Sequence, residues 1–140
     1  MSFENVKKLD KELLESNEKI LQYEANELLA TSVIKNDTVR IIESFSDRPI
    51  QELQKLAKMI ADREKRALIF LLSENDSRFQ LVCGRGATNK MDMRTLMQES
   101  LSLIDGKGGG TASLTKEELI RNVTNIIAKQ IKSEEYTTLD

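Results

Sequence analysis

Six consecutive apolar residues, Ala67 to Leu72 (ALIFLL), restrict the fold of this chain more than any other stretch. A run without polar alternation has no side to turn toward water, so it predicts a central strand buried on both faces. Thr38 to Phe45 (TVRIIESF) is rich in β-branched residues and forms a second strand with Val39, Ile41 and Phe45 on one face. Arg78 to Gly84 reads as a third strand, joined to the central run by the polar turn Glu74-Asn75-Asp76-Ser77 in a hairpin.

Helical patterns surround these strands. Pro49 falls in the first turn of a helix whose Ile50, Leu53, Leu56, Ala57 and Ile60 recur at helical spacing toward Lys65, giving one apolar face and a basic flank. Asp92 is suited to cap a helix carrying Met93, Leu96, Met97, Leu101 and Ile104. Thr115 and Glu118 form a capping box ahead of Leu119, Val123, Ile126, Ile127 and Ile131. This order predicts a small α/β (α+β) domain over 37–132, with a flexible tail at 133–140.

Residues 1–36 read as a helical arm. Phe3 to Lys35 contains no Gly or Pro, and the pairs Leu13/Leu14, Ile20/Leu21 and Leu28/Leu29 recur at intervals of seven to eight residues. That spacing lays an apolar seam along a helix on the order of 50 Å long, longer than a domain of this size can cover. Two readings stay open: a helix packed on its own domain, or a coiled-coil arm that dimerises through Leu13, Leu14, Ile20, Leu21 and Leu28.

Composition narrows the chemistry. The chain has 140 residues, no histidine and a single cysteine, Cys83, so neither an internal disulfide nor the usual zinc sets and His-assisted nucleophiles can be built within it. No catalytic residue, metal or cofactor is expected in this chain. Its net charge of −2 gives no global attraction to nucleic acid, so RNA contact requires a local basic patch. No stretch reaches the roughly 18 apolar residues of a membrane helix, and a cytoplasmic protein is the default expectation.

Four of the six glycines fall within Asp105 to Leu114 (DGKGGGTASL). The stretch is not a P-loop: Gly106-Lys107 is followed by Gly108 rather than Ser or Thr, position 101 is Leu, and a helix rather than a strand precedes it. It reads either as a backbone nest in which Lys107 meets an RNA phosphate or as a tight structural turn. Arg85, between Gly84 and Gly86, is expected beside it, although a strand-ending turn explains those two glycines equally well. Cys83 reads as a buried strand residue, and Lys55, Lys58, Arg63, Lys65 and Arg66 as a solvated helix face.

The segments IQELQKLAKMIADREKRALIFLLSE, LVCGRG, MDMRTLMQESLSLIDGKGGG and TASL together resemble the C-terminal DHH-associated domain of alanyl-tRNA synthetase and of the long-form alanyl-tRNA editing hydrolases. The similarity runs from about Thr38 to Ile131, and the arm resembles the helical segment that links this domain to the editing domain. It implies an accessory module that engages tRNA or supports dimerisation, with deacylation carried by a zinc-bearing editing domain elsewhere in the parent protein. By position, Gly106, Lys107, Gly108, Gly109 and Gly110 match the family's loop, and Arg85 matches the arginine at the strand end.

Overall fold

The computed structural model describes residues 3–76, 78–109 and 115–138, with side chains over 5–76, 78–104 and 115–130. The apolar run becomes β3 (Ala67–Asn75), second from the edge of a mixed four-stranded sheet ordered β1-β2-β3-β4. Its side chains alternate between two cores. Ala67, Ile69 and Leu71 enter one with Ile41 and Phe45 of β2 (Thr38–Ser46) and with Leu53, Leu56 and Ile60 of α2 (Ile50–Arg63). Leu68, Phe70 and Leu72 enter the other with Leu96 of α3 (Met93–Gly109) and with Leu119, Val123 and Ile127 of α4 (Lys116–Thr138). The uninterrupted run is thus the signature of a sheet covered on both sides.

β2 and β3 are parallel, from Val39 opposite Ala67 to Ser46 opposite Glu74, and α2 makes the crossover that a parallel pair requires. Pro49 stands one position before the helix, as its N-cap in extended conformation, and its carbonyl accepts from Glu52 and Leu53 N–H. β4 (Arg78–Arg85) closes the hairpin with β3, Asn75 pairing with Arg78 across a connection in which Asp76 takes φ 45°. Asp92 accepts from Thr95 N–H and Thr95 Oγ1 at 3.1 and 2.7 Å, and these bonds hold its carboxyl below the usual range. The capping box at α4 forms in both directions, Glu118 N–H to Thr115 Oγ1 and Thr115 N–H to Glu118 Oε2.

Several expectations differ from the structure. The arm helix α1 (Phe3–Ala30) stops before Lys35, and Val33–Lys35 form β1, a short edge strand antiparallel to β2. Asn36 and Asp37, with φ 53° and 60°, make the two-residue turn of a hairpin whose twist suits the strands, so the β-branched Val33 and Ile34 pair rather than extend the helix. Thr31 and Ser32 end α1 by donating their hydroxyls to carbonyls of its last turn. Secondly, residue 36 is not a packing boundary, because Leu21 and Ala25 lie in the α2 core with Leu28 and Leu29 against it.

Thirdly, the glycine-rich stretch does not begin as a loop. α3 continues through Gly109, since glycine weakens a helix by about 1 kcal/mol per residue without forbidding it, whereas proline would stop it. Gly110 to Leu114 lie outside the described residues. Fourthly, α4 continues to Thr138 through most of the segment expected as a tail. Leu101, expected on the buried face of α3, is exposed.

Candidate functional site

The C-terminal half of α1 is fastened to the domain by two arginines. Arg48 donates to Glu24 Oε2 at 2.6 Å and to Glu52 Oε1, and lies 4.8 Å from the ring centre of Phe45. Burial works against its charge, but the hydrogen bonds and attraction of the two carboxylates outweigh it and raise its pKa. Ser73 Oγ receives Arg48 N–H and donates to Arg48 carbonyl, which ties this junction to β3. Arg63, at the end of α2, donates to Gln22 carbonyl at 2.9 Å and Asn26 Oδ1 at 2.7 Å.

This fastening splits the apolar pairs of α1 between two stripes about 100° apart, the turn between successive helical residues. Leu21 (4% exposed) and Leu28 face the domain. Leu21 is buried and Leu28 half-buried against the α2 core, so these two of the residues expected at a dimer seam lie on the side of α1 that packs on the domain. The other stripe is uncovered: Leu13 and Ile20 are each 61% exposed, and Val6, Leu9 and Tyr23 are exposed with them. Val6, Leu13 and Ile20 are seven residues apart, Leu9 and Tyr23 two such steps apart, and the two sets are offset by three. This is the spacing of a heptad seam, with Ser16 at its one polar position. Leu14, also exposed, overlooks a cleft of about 300 Å³ between α1 and the start of α2, lined by Pro49, Gln51 and Lys55. Val6, Leu9 and Tyr23 were missing from the residues expected at the seam, although their seven-residue offsets are readable in the sequence.

The residues expected to contact RNA do not converge. Arg85 Nη1 donates to Met91 carbonyl at 2.8 Å, which places it beside the start of α3. Gly106 lies thirteen residues beyond Met93 along that helix, a distance of about 20 Å. Arg85 and the glycines therefore occupy opposite ends of α3 instead of one surface. The backbones of Gly106, Lys107, Gly108 and Gly109 are helical, and Gly110 is outside the described residues.

The basic flank is partly committed to structure. Arg63 holds α1, while Arg66 pairs with Glu64 at 3.0 Å and Asp37 at 3.2 Å. Gly86 has a packing reason: a Cβ there would lie 2.3 Å from Glu64 carbonyl oxygen. At Gly84 the nearest atom would be 3.7 Å away. Burial pushes the Cys83 thiol up to about 12, which suppresses the thiolate needed of a nucleophile. Among the described residues no helix is long and apolar enough to cross a membrane.

No family model matches the chain, and no solved structure matches it. The architecture defines it as a mixed α/β protein with an N-terminal helix.

Proposed function

We propose that the chain is an association module in which the N-terminal part of α1 pairs with a second copy. The uncovered heptad seam of Val6, Leu9, Leu13, Ile20 and Tyr23 carries this reading. A helix with one apolar stripe needs one partner surface, and the domain already covers the other stripe at Leu21 and Leu28. Light scattering tests it: the wild type should run at twice the 15.9 kDa of one chain, and the double variant Leu13→Asp/Ile20→Asp at 15.9 kDa. A wild-type mass of one chain across the accessible concentration range rejects the pairing.

A second reading rests on the resemblance to DHH-associated domains: an accessory module of an alanyl-tRNA editing protein whose glycine-rich stretch and Lys107 contact tRNA backbone. The three glycines within the last turns of α3 favour it, because a helix gains nothing from glycine there and an approaching ligand does. Fluorescence anisotropy with bulk tRNA at low and moderate salt separates the readings. Binding that weakens with salt and in Lys107→Ala supports tRNA contact, and no binding at low salt removes it.

A further inference from the structure

We propose that the cleft at the open edge of β2 is a carboxylate-binding site built on Arg40. β1 pairs with β2 only from Thr38 to Arg40, so among the described residues the outer edge of β2 beyond Arg40 has no strand partner. In a two-residue hairpin the pairs Lys35–Thr38 and Val33–Arg40 exchange the hydrogen bonds, and the alternation then turns the N–H and C=O of Ile42 and Ser44 toward that open edge. Val39 N–H, one step out of phase, points the other way to Arg66 carbonyl. Where β1 ends, a cleft of about 240 Å³ opens, with Leu28, Val33 and Ile42 as apolar walls and Thr124 of α4 also lining it.

Arg40 lines this cleft at 9% exposure, and its Nε is sealed from solvent with no acceptor. The ion pairs among the described residues belong to Arg48 and Arg66, and Glu43, also at the cleft, makes none with Arg40. The hydroxyls of Thr31, Ser32 and Thr124 donate to backbone carbonyls, which leaves Arg40 as the cleft's cationic donor. A buried guanidinium N–H without an acceptor is costly, and among the described residues none supplies one to Nε, so an acceptor from outside would complete the site. One guanidinium with Glu43 close by balances a monoanion better than a phosphate dianion, and its planar fork matches the two oxygens of a carboxylate. The aliphatic walls add a preference for an apolar substituent on that carboxylate. Its source is either a small free acid or an extended peptide whose backbone pairs with Ile42 and Ser44.

Amide NMR titration of the full chain decides this, using isovalerate, a four-residue apolar peptide acid, the same peptide as its C-terminal amide, and inorganic phosphate. A carboxylate should give saturable shifts at Val33, Arg40, Ile42 and Thr124, with affinity reduced roughly tenfold or more in Arg40→Met. Unliganded Arg40→Met should melt no lower than wild type, because it removes a buried N–H without an acceptor while keeping the aliphatic stem. Arg40→Lys, which keeps the charge but loses the fork, should also weaken binding. Saturation by isovalerate identifies a free acid as sufficient, whereas saturation by the peptide acid alone, with shifts at Ile42 and Ser44, identifies a strand. The proposal is overturned by no saturable shift with either acid, by phosphate or the amide binding as well as the acids, or by unchanged affinity in the Arg40 variants.

Discussion

Gly86 shows how one missing atom fixes a junction. Its N–H bonds to Ala67 carbonyl at 2.9 Å, and the backbone of Glu64 and Lys65 occupies the space a Cβ would need. Gly86→Ala should destabilise the protein by about 3 kcal/mol, because backbone atoms must move, while Gly84→Ala should stay within about 1 kcal/mol. Urea unfolding of both variants checks the contrast. Cys83 carries a pH prediction of definite sign. Between the ordinary thiol value of 9.0 and the folded value of about 12, the native state keeps a proton that the unfolded chain releases. Stability therefore falls as pH rises through that window. Unfolding measured from pH 8 to 11 should show a decline that is shallower in Cys83→Ala.

At the scale of elements, α1 belongs to the domain only as far as its polar fastenings reach. Arg48→Ala leaves Glu24 and Glu52 without their shared cation and should cost about 2 kcal/mol, the range for charge-assisted bonds. Hydrogen exchange should then rise in residues 21–30 more than in α2, and equal protection in both would show that the apolar contacts alone hold α1. The central strand, the apolar face of α2 and both helix caps were legible in the sequence because each rests on a local pattern. β1 was not: three residues beside a helix give too short a pattern, and its pairing depends on the backbone of Asn36 and Asp37, both at positive φ. Arg40 was hidden for a different reason. Its position alternates with Val39 and Ile41, which reads as a solvated side, and only helices on both faces of the sheet turn that side inward. The separation of Arg85 from the glycine-rich stretch was likewise unreadable, since it depends on α3 extending to Gly109.

For the molecule as a whole, the two stripes of α1 predict two kinds of failure. Leu21 is in the core, so Leu21→Asp buries a charge without a partner and should cost on the order of 4 kcal/mol, seen as loss of cooperative unfolding. Leu13 and Ile20 touch water in the single chain, so Leu13→Asp/Ile20→Asp should leave the domain folded and remove only what pairing adds. Association stabilises a folded chain by mass action, so wild-type Tm should climb with protein concentration and that of the double variant should not. The comparison is internal, because both proteins share the same domain core and differ only on the outer stripe. A Tm independent of concentration in the wild type would mean that the outer stripe contributes nothing to a folded pair, and a double variant that fails to fold would mean that the domain depends on pairing to fold.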